Sequence, residues 1–265
     1  MSEELIAEIG IIGGTGVYDP GMIKNHKKIK VHTPFGRTSD LVTIGEFNGR
    51  KVAFIPRHGP NHEIPPHKVN SRANIWALKK IGVTRIIAPS AVGSLREDYK
   101  PGEFVIADQI IDRTKCRADT YYEEGQVCHI SLANPFCDEL REIFITGAKK
   151  LNLEYHNRGT YVCIQGPRFS TKAESNMFRL WGADIIGMTV YPECALAREL
   201  EICYATVTTI TDYDVWSEKP VTAEEVIETM RKNIDNLRNL MSNVITDISQ
   251  VHHCSCGEAL KDAML

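Results

Sequence analysis

At 265 residues the chain is long for one domain but within the range of a single α/β unit. It is 43% hydrophobic and 25% charged with a net charge of -3, an ordinary soluble composition that argues against an electrostatic nucleic-acid footprint. No run approaches the roughly 18 apolar residues of a membrane span, and the acidic start Met1-Ser2-Glu3-Glu4 lacks the basic end and apolar core of a signal peptide, so a cytoplasmic protein is expected.

Ile9, Ile11 and Ile12 make a short apolar strand that runs into Gly13-Gly14-Thr15-Gly16. Such a turn can cradle an anion with successive N–H groups, and Thr15 adds a hydroxyl; an ordinary glycine turn after a strand fits equally well. No Lys follows for a Walker loop, and Asp19 stands where a dinucleotide fingerprint needs its third glycine. Leu41–Phe47 and Lys51–Pro56 read as strands joined by Asn48-Gly49, the strongest short hairpin signal. The hairpin breaks the β-α-β rhythm of a dinucleotide fold.

Arg57-His58 at the end of that strand suits a phosphate, with a guanidinium fork and an imidazole donor, and suits a solvated loop as well. Val69–Lys80 is expected as a helix stopped by Gly82, and Arg85–Ala88 as a strand. Pro89–Ser94 reads as a loop of small residues at a strand's C-terminal end, where ligands gather in open α/β sheets. Phe104–Ile111 is expected as one strand.

A helix is expected from Asn134-Pro135, with Leu140, Ile143, Phe144, Gly147, Ala148 and Leu151 on its core face. Thr160–Ile164 is a strand, Thr171 and Glu174 form a capping box, Asp184–Thr189 is a strand, and Pro192 opens a helix. Cys203–Ile210 is a β-branched strand leading to Thr211-Asp212-Tyr213-Asp214, whose two carboxylates fit a site or a plain turn. Thr222 and Glu225 form a second capping box before a long helix with Val226, Met230, Leu237, Leu240, Met241 and Val244 on one stripe. Strand-like and helix-like segments alternate without repeat or linker, which favours one α/β domain.

Together, Gly13-Gly14-Thr15-Gly16, Thr33-Pro34-Phe35-Gly36, Arg57-His58-Gly59, Asn74–Leu78, Gly166-Pro167-Arg168-Phe169-Ser170, Gly187-Met188-Thr189 and Thr211–Asp214 resemble the methylthioadenosine phosphorylases, in the trimeric branch of the purine nucleoside phosphorylases. The resemblance covers about residues 8 to 248. It implies one nucleoside phosphorylase domain over 1–248, with a mixed, partly barrel-like central sheet flanked by helices, and a homotrimer or dimer of trimers. The implied reaction is reversible phosphorolysis of 5'-methylthioadenosine, with inorganic phosphate as co-substrate and no metal or organic cofactor. By motif, Thr15, Arg57, His58, Ser90, Ala91 and Thr189 would hold phosphate and Met188 would lie under the ribose. Phe169, Ser170, Asp212 and Asp214 would surround the purine, with Asp212 as general acid at N7. His62, His129, Val226 and Ile227 would line the 5'-methylthio pocket, His62 and His129 coming from different subunits. Two readings stand beside this one: a phosphorylase of broad purine-nucleoside use and a non-catalytic purine sensor.

Of the eight cysteines, Cys116, Cys128, Cys137, Cys163, Cys194 and Cys203 are expected as reduced core thiols. Residues 249–265 lie outside the resemblance and hold Cys254-Ser255-Cys256. A frayed tail is the first expectation there and a strained C-x-C disulfide the second. A metal site comes last, because C-x-C lacks the two-to-four residue gap usual for zinc. A Cys137–Cys203 pair is a further option.

Overall fold

A computed structural model describes residues 6–14, 23–217 and 222–265. β1 (Ile9–Gly13) is buried at every residue, because parallel strands flank it on both sides. A doubly covered strand reads as an unbroken apolar run, as Ile9-Gly10-Ile11-Ile12 does. Its neighbours are β4 (Arg50–Pro56) and β5 (Arg85–Ile87). β3 (Val42–Phe47) joins β4 through the expected hairpin, and Asn48 and Gly49 both hold the positive φ, 47° and 78°, that the turn demands. β2 (Lys24–Ile29) closes one edge and β12 (Cys203–Ala205) the other, in the order β12-β5-β1-β4-β3-β2.

A second, seven-stranded sheet runs β8 (Gln109–Arg113), β10 (Thr160–Ile164), β11 (Ile185–Gly187), β6 (Ser90–Ser94), β13 (Thr208–Asp212), β7 (Phe104–Val105), β9 (Tyr155–His156). Two stretches thread both sheets. β5 continues through Ala88-Pro89 into β6, and β12 continues through Thr206-Val207 into β13. The two stay paired at the crossing: Ala88 N donates to Ala205 O at 2.9 Å and Ser90 N to Val207 O at 3.1 Å.

Helices flank both sheets, as the sequence led us to expect. α1 (Ser71–Lys80) packs on α4 (Val190–Glu199), and α2 (Asp138–Lys150) packs on α5 (Ala223–Asp247). α3 (Lys172–Leu180) starts with the expected capping box, Thr171 and Glu174 each accepting the other's backbone N–H. In α4, Tyr191 is non-helical, so regular helix begins at Pro192. Among the described residues no helix is long and apolar enough to cross a membrane.

Several boundaries differ from expectation. Ser90–Ser94 is a strand rather than a loop, because β11 and β13 pair with it on either side. Phe104–Ile111 splits into β7 and β8, and Cys203–Ile210 into β12 and β13. The helix expected from Pro135 starts at Asp138. Cys137 N donates to Tyr204 O at 2.8 Å, which ties the preceding residues to β12. Cys116 is exposed and Cys128 half-buried, so neither is a core thiol. Residues 249–265 are not a frayed tail: Cys256 and Ala263 are buried, and Cys256 joins the core between α2 and α5. Thr15 and the Glu225 side chain of the second capping box lie outside the described residues.

Candidate functional site

β6 is the spine of the site. At its start the elements that end nearby bring in Arg57, Ser90 and Thr189; toward its end stand Asp212 and Asp214. Arg57 N donates to Gly13 O at 2.9 Å, which fixes the end of β4 beside the end of β1. The Arg57 side chain is 2% exposed, so its charge needs a partner inside the protein. It finds one in Glu193 of α4: Nε and Nη2 grip the two carboxylate oxygens at 2.6 and 3.0 Å. Nη2 also donates to Ile12 O at 2.9 Å, and Nη1 to Pro89 O at 3.2 Å. The fork that the sequence offered to phosphate therefore holds Glu193. One Nη1 hydrogen is left without an acceptor among the described residues.

The hydroxyls behave differently. Among the described residues, Ser90 Oγ and Thr189 Oγ1 are both buried without a partner in hydrogen-bond geometry. Thr189 occupies the N-cap of α4 without capping it, so its hydroxyl and the helix N-terminus are free to meet an anion. An orphaned buried hydroxyl costs about 1–3 kcal/mol, so two at one point mark a place built for a ligand.

His58 Nδ1 lies 2.8 Å from Ile64 O, and a carbonyl can only accept, so Nδ1 carries the proton. Burial, reinforced by the Arg57 charge, pushes the ring down to about 4. At neutral pH the other ring nitrogen is thus an acceptor, where the sequence suggested a donor. His62, with a positive φ of 58°, places its ring 4.5 Å from the His58 ring.

At the other end of β6, Asp212 pairs in register with Gly93. Asp212 Oδ1 accepts from Asp214 N at 2.8 Å, and its Oδ2 lies 2.7 Å from Thr211 Oγ1, whose single proton also faces Val92 O at 3.1 Å. A Cβ at residue 93 would fall 2.8 Å from Asp212 Oδ1 and 3.3 Å from Asp214 Cβ, so only glycine admits the pair. Asp214 is 3% exposed, and its Oδ2 has no partner. Burial raises its pKa, and the Glu174 charge adds in the same direction. Ser170, at the end of the segment that follows β10, adds another buried hydroxyl without a partner.

The remaining candidates divide. Met188 follows β11 directly and packs its thioether against Gly166. Ala91 is the second residue of β6. Phe169 and Ile227 are 40% and 52% exposed. Val226 and Ile227 sit in the first turn of α5, which packs on β13. His129 is not brought to this cluster within one chain: it is exposed, and its N donates to Ala263 O at 2.7 Å.

Two residues escaped the sequence reading. Glu193 could have been suspected, since a carboxylate within Val190–Ala197 of an otherwise apolar helix must find a buried cation. Arg117 gave no signal; it donates to Met188 O at 2.9 Å and to Gln165 O at 2.8 Å, fixing the two segments that carry Met188 and Phe169. Two open surface depressions of about 600 Å³ each, one beside Arg96 and Asp184 and one beside Lys30 and Leu41, contain none of the candidate residues.

β6 thus spans from a pair of neutral hydroxyl donors to a carboxyl pair in which burial raises the pKa of Asp214. Three residues separate Ser90 from Gly93, about 10 Å of strand. This is room for a sugar between an anion and a base.

The chain is similar to known proteins over nearly its whole length. The family described as the Phosphorylase superfamily matches residues 8–246. An S-methyl-5'-thioadenosine phosphorylase of Nitrosopumilus maritimus is 55% identical over 256 residues, 97% of each chain. That of Pyrococcus furiosus is 57% identical over 254 residues, 96% of this chain and 98% of the relative. A methylthioadenosine phosphorylase from an antarctic soil metagenomic library superimposes with a TM-score of 0.94 at 43% identity, covering 99% of this chain and 93% of that one. The Schistosoma mansoni enzyme in complex with adenine gives 0.91 at 37% identity, covering 96% of each. The chain belongs to the phosphorylase superfamily, on the branch of the methylthioadenosine phosphorylases, and is a phosphate-dependent nucleoside phosphorylase.

Proposed function

We propose that the chain catalyses the reversible phosphorolysis of 5'-methylthioadenosine to adenine and 5-methylthioribose 1-phosphate, a step of purine and methionine salvage. One observation carries the reading. Ser90 and Thr189 at one end of β6, Asp214 at the other, and Ser170 after β10 all present buried polar atoms without partners among the described residues. Each is a position that the sequence motifs assign to phosphate or purine.

Phosphate, held by Ser90, Thr189, the remaining Arg57 hydrogen and the glycine turn with Thr15, is fixed against C1' of the sugar. Holding it there supplies the proximity a weak nucleophile needs. As the C1'–N9 bond breaks, the departing electron pair enters the purine and N7 takes a proton; phosphate oxygen then closes on C1'. The motif assigns this proton to Asp212. Burial raises the pKa of Asp214, which makes Asp214 the better reservoir of the two. The pair shares one proton and passes it to the base.

The same pair selects the base. An ionised Asp212 accepts from a 6-amino group and repels a 6-oxo group. Asp212→Asn is therefore expected to shift preference toward inosine; unchanged adenine selectivity in that variant would count against this role. The open 5' side, with Ile227 exposed and His129 held elsewhere, supports completion by a neighbouring subunit of a homotrimer or dimer of trimers.

A Schistosoma mansoni relative is described as an adenosine/methylthioadenosine phosphorylase, which keeps broader nucleoside use as a second reading. Turnover of methylthioadenosine, adenosine and inosine, each with and without phosphate, tests both. Release of adenine from methylthioadenosine that depends on phosphate is expected. Base release independent of phosphate, or binding without turnover, would overturn the proposal.

A further inference from the structure

The Sγ atoms of Cys137, Cys203, Cys254 and Cys256 all lie within 4.8 Å of one another. Three of these residues are buried and Cys254 is half-buried. They arrive from three places. Cys137 is the N-cap of α2, Cys203 begins β12, and Cys254 and Cys256 flank the start of the short helical turn Ser255–Glu258. All four are free thiols; the sulfurs of Cys203 and Cys254 stand 3.3 Å apart. A tetrahedral zinc with Zn–S bonds of about 2.3 Å holds its sulfurs about 3.8 Å from one another, inside the observed limit.

The surroundings distinguish a thiolate site from four neutral thiols or two disulfides. Arg198 Nη1 donates to Cys256 Sγ at 3.5 Å, and among the described residues no carboxylate pairs with Arg198. Its Nε is buried without a partner. Arg85, 1% exposed, donates from Nη2 to Val251 O at 3.1 Å, three residues before Cys254; Glu8 and Glu139 balance it only at 3.5 and 3.9 Å. Cys137 at a helix N-terminus lies where a thiolate is favoured. A guanidinium group and a helix dipole at one sulfur cluster suit a negatively charged centre.

We propose that Cys137, Cys203, Cys254 and Cys256 bind one zinc ion as a structural tetrathiolate site. On binding, four thiols lose four protons to solvent and four Zn–S bonds form, with no change of oxidation state; the resulting charge of minus two faces Arg198. The short C-x-C gap, which ranked a metal last in the sequence, ceases to count against it once α2 and β12 supply the other two ligands. The ion would pin residues 249–265 to the body. That segment in turn holds the loop with His129, through His129 N to Ala263 O at 2.7 Å and Leu265 N to Val127 O at 3.1 Å.

The test uses the untagged full chain, produced in zinc-containing medium and purified under reducing conditions. Plasma emission spectrometry is expected to find about one zinc per chain, released as an organomercurial titrates the thiols. The Cys254→Ser/Cys256→Ser variant should lose more than nine-tenths of that zinc, by about the margin expected when half of a four-ligand set is removed. Should this variant fail to fold, cobalt(II) substitution of the unmodified chain decides instead: absorption of a tetrahedral sulfur site supports the proposal, and its absence overturns it. Unmodified chain without zinc overturns it too, whether its four thiols titrate freely in denaturant or appear only after reduction of two disulfides. None of these readouts involves nucleoside turnover, so failure here leaves the proposed reaction standing.

Discussion

The two ends of β6 solve the same electrostatic problem in opposite ways. At the phosphate end the buried cation Arg57 is already matched by Glu193, and Ser90 and Thr189 present a pair of neutral hydroxyls. At the base end the Asp214 carboxyl is buried with no cationic hydrogen-bond partner among the described residues, and burial raises its pKa. An anion is thus met by oriented dipoles, and a leaving base by a carboxyl whose burial favours the neutral form. The contrast teaches that local charge is a poor guide to which end binds which partner.

The sharpest way to break this division is Asp214→Asn. It should lower kcat/KM for the nucleoside about 10²–10⁴-fold while leaving the KM for phosphate unchanged. A loss confined to phosphate KM would overturn the assignment. Glu193→Gln attacks the other end by stranding a buried guanidinium, and should cost about 3–5 kcal/mol in urea unfolding. Phosphate should then stabilise this variant more than the unmodified chain, because the ligand supplies the missing anion; equal stabilisation would show that Arg57 never faces phosphate.

His58 offers a pH test. A ring whose proton affinity falls on folding is protonated first in the unfolded chain, so acid favours unfolding. Stability should drop as pH falls from 6.5 to about 4 and level off below, by a total on the order of 3 kcal/mol. His58→Gln should flatten that slope in urea titrations run across the range. The smallest effect is expected from Thr189→Val. Losing one donor worth about 1–3 kcal/mol should raise the KM for phosphate roughly 5- to 150-fold. The unliganded chain should be no less stable in calorimetry, since the hydroxyl has no partner to lose.

What could be read from the residues was what depends on near neighbours. Asn48-Gly49 and the Thr171/Glu174 capping box are local chemistry, and both appear as expected. β2 was missed because Lys-Asn-His-Lys-Lys-Ile is the charged face of an exposed edge strand, with no alternation to betray it. Ser90–Ser94 was taken for a loop because Ser-Ala-Val-Gly-Ser has little strand propensity; its partners on β11 and β13 supply the order. Asp212 and Asp214 were legible as a pair, but not the difference between them, which rests on the burial of Asp214. Glu193 and the four-cysteine cluster join residues far apart in the chain, and only the folded topology brings them together.

The stretch from Cys203 through β12 and β13 to Asp212 is one uninterrupted run that crosses both sheets. Its first residue is anchored among sulfurs and its last carries the acid pair. Over about 30 Å of extended backbone, a shift at the root has few places to dissipate before it reaches the tip. The thiol end is therefore the moorings of the catalytic end: a change made at Cys203 is expected to be felt as a misalignment at Asp212, with no side chain of the pocket altered.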